Sequence, residues 1–268
     1  MTQISVLLIT KGHPFDKGPF FEMFDSLGVD YTHVEQPAAR VFFNPDMAKD
    51  YDVLVMYDMP GINFVPGGPQ FESPDEGYRS GMMALLKSGK GMVFLHHAIA
   101  GWPAWDEYAE IVGGRFLYLP ANLRNEPCQD SGYRHEVAHT IEVVLEHPMT
   151  EGLPSRFVMT DELYLGEVFT DNIIPVLRSQ HQFVQENFYS AAKVVREGKM
   201  FNNENWEHRE GCNIVGWIKN YSNSPIAYLQ GGDDGAAYAD DNYRLLLSNA
   251  IRWAASKEAL GWAKSRNC

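Results

Sequence analysis

Three apolar runs, Ile4 to Thr10, Asp52 to Tyr57 and Met92 to His96, are continuously hydrophobic rather than alternating, so neither face of the strand each would form is polar. A strand of this kind must be covered on both sides, which is the condition of a parallel strand with helices above and below it. A helical segment at Phe20 to Leu27 follows the first run, a further strand is expected at Tyr31 to Glu35, and a helix at Tyr78 to Ser88 separates the last two runs. Strands alternating with helices imply right-handed crossovers on a parallel sheet, hence an α/β fold.

Beyond His97 the pattern is less regular. A short helix is expected from Ala104 to Val112, stopped by Gly113-Gly114. Strand-like runs recur at His139 to Leu145, Arg156 to Thr160, Ile174 to Arg178, Asn213 to Trp217 and Ile226 to Leu229. At Asp241 to Ser256 apolar residues return at helical spacing behind Asp240, a candidate N-cap. Pro60 to Pro74 is too rich in Pro and Gly to be regular and is expected to be a loop, a candidate lid. No repeat or linker divides the chain, so residues 1–268 are expected to form one domain.

The net charge of −13, from 35 acidic and 22 basic residues, disfavours nucleic acid and anionic membrane surfaces as partners. The N-terminus lacks a basic leader and no apolar run approaches the length of a membrane span. Three widely spaced cysteines, Cys128, Cys212 and Cys268, suggest neither a disulfide framework nor a metal knuckle. A cytoplasmic protein is therefore expected. Dimerisation is common among soluble enzymes, and a homo-oligomer is carried as an open expectation.

In open parallel sheets ligands bind outside the carboxyl ends of the strands, so polar residues directly after an apolar run are the first candidates: His13, Asp58, His96 and His97. The His96-His97 pair, followed by the small Ala98 and Ala100, has the character of a tight strand-to-helix turn that presents one side chain. No Ser or Cys lies between His96 and Gly101, so nucleophilic catalysis by either at this turn is excluded. Histidine offers general acid/base action or metal ligation instead.

Trp102 and Trp105 bracket Pro103 and fit either the core or a stacking wall for a sugar ring. Tyr133 and His135 precede an expected strand; His135 and His139 could be solvated or approach the other histidines. Asp161-Glu162 offers a base or ligand pair, against the alternative that Thr160 or Asp161 caps a helix. Gly231-Gly232-Asp233-Asp234 reads in isolation as a turn.

The segments ITKGHPFDKGPFFEMFDSL, YDVLVMYDMPG, MVFLHHAIAGWPAWDEYAEIVGGRF, EHPMTEGLPSRFVMTDELYLGEVF and SPIAYLQGGDDGAAYADDNYRLLLSNAIRWAAS, in this order, resemble the ThuA-like, trehalose-utilisation family over most of the chain. The resemblance implies a class I glutamine amidotransferase-like fold, a flavodoxin-like three-layer α/β sandwich with a mainly parallel central sheet. It places His96 at the elbow where the amidotransferases carry cysteine, the family's HP motif at His147-Pro148 and its DELY motif at Asp161 to Tyr164. A glycine-histidine-acid motif would fall on Gly231-Gly232-Asp233, so Gly232 stands where histidine is usual, and another group must replace it if activity is kept.

What the resemblance implies about function is an enzyme of carbohydrate metabolism, a lyase, isomerase or hydrolase acting on a disaccharide or 3-keto-glycoside, and not a glutamine amidotransferase. His96, Asp161 and Glu162 are the expected catalytic residues. His13, His97, Trp102, Trp105, Tyr133, His135 and Asp233 are expected to bind substrate, and a divalent metal such as zinc is the candidate cofactor. The alternative is a non-catalytic sugar-binding or regulatory protein on the same scaffold.

Overall fold

One long sheet runs through the protein, and its nine principal strands are β1 Ser5–Lys11, β2 Asp30–Glu35, β3 Val53–Asp58, β4 Gly91–Leu95, β5 Gly132–Val143, β6 Arg156–Leu165, β7 Ile174–Ser179, β8 Ile214–Tyr221 and β9 Ser224–Leu229. The computed structural model describes residues 3–267; Met1, Thr2 and Cys268 lie outside it. The spatial order is β6-β5-β7-β8-β9-β4-β3-β1-β2. From β9 to β2 every pairing is parallel, and from β9 to β6 every pairing is antiparallel.

The parallel core follows from the double-faced apolar runs. Val6 and Leu8 enter one hydrophobic cluster and Leu7 and Ile9 the other, as do Val53 and Val55 against Leu54 and Met56. The first cluster is closed by α1 Lys17–Ser26 and α4 Asp241–Ala254, the second by α2 Glu76–Ser88 and α3 Asp106–Val112. Four smaller points of local chemistry set the ends. Asp75 caps α2 by accepting from Tyr78 N–H, Gly89 ends it in the left-handed conformation, Gly113 ends α3 likewise, and Asp240 caps α4 through Asn242 and Tyr243 N–H, as its position suggested.

The structure departs from the sequence expectations in three places. The strand expected to end at Thr160 continues to Leu165, so neither Thr160 nor Asp161 caps a helix; β-pairing with Gly132 to Arg134 carries it on. The strand expected to begin at His139 begins at Gly132, which places Tyr133 and His135 on β5 rather than before it. Pro60 to Pro74 is not irregular throughout: Ile62–Val65 and Gly68–Phe71 pair as a hairpin turned at Pro66 and Gly67, with Gly67 at positive φ.

Candidate functional site

Three strands of the parallel core, β1, β4 and β9, run out into pieces of the site. At the end of β4 the chain turns abruptly at His96, which is fully buried and adopts φ +47°. Backbone of this kind in a non-glycine residue is strained and persists only where the surroundings fix it. Here Tyr228 Oη donates to His96 carbonyl at 3.0 Å, and Nδ1–H of His96 donates to the Gln230 carbonyl at 2.6 Å. Nε2 of the ring is thereby aimed at Glu162 Oε2 (3.0 Å), Tyr164 Oη (2.6 Å) and Asp233 Oδ1 (3.3 Å).

Glu162 and Tyr164 reach this point because they alternate on one face of β6. The antiparallel half of the sheet curls so that β6, four strands away from β9, meets the end of β9 again: Tyr164 N–H donates to Gln230 Oε1 at 3.0 Å. Asp161 points to the other side of β6 and accepts from Gly232 N–H (2.6 Å) and Asp233 N–H (3.1 Å). The adjacent carboxylates thus divide their work. Glu162 faces His96, while Asp161, with its carboxyl raised by burial to about 7, fixes the loop that carries Asp233.

A β-bulge supplies the next group. Arg134 is paired with Leu163 and Val137 with Asp161, so His135 and Glu136 together oppose Glu162. Glu136 takes up the extra residue at φ +54°. The bulge brings His135 Nδ1 to 3.5 Å from Glu162 Oε1 and 3.6 Å from Asp233 Oδ2. The two carboxylates are therefore shared by two histidines, His96 below and the half-exposed His135 above.

His13 enters from β1 through Lys11 and Gly12, both at positive φ. A Cβ at Gly12 would lie 2.3 Å from the Met59 carbonyl oxygen, so the close approach demands glycine. The His13 ring stacks on His97 at 4.7 Å, and its Nδ1–H donates to the Pro14 carbonyl at 2.8 Å. His97 is itself buried, its Nε2 lying 3.2 Å from the Tyr57 carbonyl oxygen. It therefore supports His13 rather than opening to solvent.

The electrostatics follow from this arrangement. Burial, and then the charge of His96, lowers His13 below the ordinary histidine range; burial does the same, more strongly, to His97. For His96 burial pulls downward, but hydrogen bonds to Asp233 and Glu162 override it and hold the ring well above the ordinary value. The hydrogen bond to Asp233 raises His135. Burial pushes Asp233 upward, yet His135 and His96 keep it well below the usual carboxylate range.

Nε2 of His96 and one oxygen each from Glu162 and Asp233 lie within 4.8 Å of one another. One imidazole nitrogen and two carboxylate oxygens suit a divalent cation such as zinc or manganese. The Nδ1–H bond to the Gln230 carbonyl is the outer contact that fixes a ligating imidazole with Nε2 turned inward. On its donor set the cluster fits the cation expected from the sequence.

The structure brings together His13, His96, His97, His135, Glu162 and Asp233, with Asp161 directly behind them. Tyr133 lies against this group, its ring 5.3 Å from that of His135. Trp102 and Trp105 are elsewhere. Trp102 is wholly buried against Tyr78 and Arg40, and Trp105 packs near Tyr78 and Tyr108, so both take the core role. Gln230 was not singled out from the sequence, and Tyr164 only as the last residue of the DELY motif, with no role. Their signals were alternation with Glu162 along β6 and the position directly after the β9 run.

A family model described as ThuA, trehalose utilisation, matches residues 6–254. Among solved structures, a ThuA-like protein from Parabacteroides merdae shares 17% identity and superposes with a TM-score of 0.64 over 95% of this chain and 91% of its own. A ThuA-like protein from Bacteroides uniformis shares 19% identity with a TM-score of 0.62 over 95% and 92% of the two chains. A cytoplasmic protein from Salmonella typhimurium shares 15% identity with a TM-score of 0.56 over 93% and 98%. A comparison with curated proteins found no match. At these identities the structural likenesses establish the α/β fold alone.

Proposed function

Since the chain belongs to the ThuA, trehalose-utilisation family, we propose that it is an enzyme of carbohydrate metabolism that acts on a disaccharide or 3-keto-glycoside by moving the proton on the carbon beside the sugar carbonyl. The observation that carries this reading is the arrangement around His96: an enclosed imidazole on a strained elbow, converging with Glu162, Asp233 and Tyr164, beneath two part-exposed histidines. The enclosed group and the open groups suit different tasks. Both nitrogens of His96 are engaged and its ring has no exposure, so it cannot reach a substrate carbon.

Of the two roles expected at His96, base or metal ligand, the base is better placed at His13, which is only partly buried and has Nδ1–H held by the Pro14 carbonyl. His13 Nε2 takes the proton from the carbon beside the ketone. The electron pair left behind moves onto the carbonyl oxygen, where the Tyr164 hydroxyl stands ready as a donor. His135 returns a proton, either to the neighbouring carbon in an isomerisation or to the departing glycosidic oxygen in an elimination. A divalent cation held by His96, Glu162 and Asp233 would polarise the carbonyl as a Lewis acid. Glycoside hydrolysis by two separated carboxylates fits less well, because Glu162 and Asp233 are both committed to the same two histidines.

The alternative of a sugar-binding protein without turnover drew on Gly232, where the family's histidine is missing. His135, 3.6 Å from Asp233 Oδ2, brings an imidazole to the residue that follows Gly232, which favours the enzyme reading. The deciding experiment follows deuterium entering the carbon beside the ketone of 3-keto-trehalose in D2O by proton NMR, with metal content measured on the same samples. Exchange by the native protein is expected to fall about 10²- to 10⁴-fold in His13→Ala, and bound metal to be lost in His96→Ala. Binding of the sugar with no exchange by the native protein would leave the non-catalytic alternative standing and end the enzyme reading.

A further inference from the structure

Beside the catalytic group, on the outer side of His135, is an open depression of about 370 Å³ bordered by Arg134, His135, Glu136, Tyr189, Phe201 and Asp234. Its volume falls in the range of small-ligand sites. Phe201 is its most unusual member. The side chain is 55% exposed, although a phenylalanine in water is costly, and the backbone is held at φ +55°. The hydrogen bond that holds it there runs from Phe201 N–H to Tyr133 Oη at 2.9 Å. Tyr133 is a neighbour of His135, so the loop carrying Phe201 is tied directly to the catalytic strand.

The ring of Phe201 lies 6.0 Å from the His135 ring, 6.3 Å from Tyr133 and 5.6 Å from Tyr189. Arg134 lies over the Tyr189 face at 4.8 Å and donates to Tyr189 Oη at 2.7 Å. The guanidinium has five N–H donors in a fixed fork, so this one contact leaves it able to hold hydroxyl groups. An aromatic face beside a fixed cation and acidic oxygens is the complement of a pyranose: apolar C–H groups on one side of the ring, hydroxyls around its edge.

We propose that this depression is a second sugar subsite, in which the ring remote from the reacting carbonyl packs on Phe201 while Arg134 donates to its hydroxyls. The inference rests on the carbohydrate reading above and adds a size preference to it: the protein selects a disaccharide over the corresponding monosaccharide. The aromatic contact should account for roughly a tenfold preference, the size of one well-placed ring contact. Phe201 lies on an exposed loop and touches none of the groups around His96 Nε2, so truncating it leaves the fold and the metal cluster intact.

The test is titration calorimetry of 3-keto-trehalose and 3-keto-glucose with native protein, Phe201→Ala and Phe201→Trp. Native protein should bind the two-ring sugar about tenfold or more tightly than the one-ring sugar, Phe201→Ala should bind both alike, and Phe201→Trp should restore the preference. Thermal melting and metal content should be the same in all three. A native preference that Phe201→Ala leaves untouched would overturn the subsite while the carbohydrate reading survives, as would equal binding of both sugars by native protein. Native protein that binds neither sugar would overturn both together.

Discussion

Gly232 is the residue at which this chain parts from the pattern its family resemblance implies, and the reason is steric. With φ at +110°, a Cβ there would lie 2.2 Å from Tyr243 Oη, and the Gly232 carbonyl already accepts from Tyr57 Oη at 2.7 Å. Restoring the absent histidine by Gly232→His is therefore expected to harm the protein. Backbone strain and overpacking together should cost about 2–5 kcal/mol, seen as a lower melting temperature, and displacement of Asp233 should reduce metal content. A variant as stable as native protein, with metal retained, would contradict this account of the loop. Single residues were legible in the sequence where they end a run: His13 and His96 could be named because each follows a strand buried on both faces. Trp102 could not be assigned, since a tryptophan after a buried strand fits core and ligand wall equally well.

At the scale of elements, what the sequence concealed was the antiparallel half of the sheet. The segments from Gly132 to Leu165 mix polar and apolar residues, and the partner that makes Asp161 to Tyr164 a strand is Gly132 to Arg134 and Val137, not a local signal. The bulge at His135-Glu136 was equally hidden, because a bulge is a property of two paired strands. It nevertheless sets the site. Deleting Glu136 would remove the extra residue and force β5 to choose between keeping Arg134 opposite Leu163 and keeping Val137 opposite Asp161. A one-residue slip turns side chains to the opposite face. The deletion is expected to abolish the deuterium exchange while Glu136→Gly, which relieves the left-handed strain and keeps the residue count, retains the native melting temperature or raises it by roughly the 1–2 kcal/mol equivalent of that strain. Exchange surviving the deletion would mean that His135 is not positioned by the bulge.

For the molecule as a whole, no helix among the described residues is long and apolar enough to cross a membrane, and stability is set by the buried sheet and the charges it encloses. Two of these lie outside the cluster around His96 and oppose each other. Asp58 at the end of β3 is raised to about 7 by burial, and its unsatisfied Oδ1 and the unsatisfied Oε1 of Gln36 are both acceptors until the carboxyl takes a proton. His139 on β5, beside Ser179 Oγ at 2.8 Å, is lowered to about 4 by burial. The folded Asp58 binds its proton more tightly than the unfolded chain, so its contribution is present below about pH 4 and is lost as pH rises towards 7. The folded His139 binds its proton more weakly, so its contribution is present above about pH 6.5 and is lost as pH falls towards 4. These slopes run in opposite directions, and each substitution uncovers the other. Relative to native protein, Asp58→Asn should gain stability as pH is raised from 4 to 7, by up to about 4 kcal/mol, and His139→Gln should gain it as pH is lowered from 6.5 to 4, by up to about 3 kcal/mol. Urea unfolding of the three proteins at half-unit pH intervals reads both differences directly. Parallel curves would show that neither group changes its proton affinity on folding, whereas curves that diverge in opposite directions show that folding tightens proton binding at Asp58 and weakens it at His139.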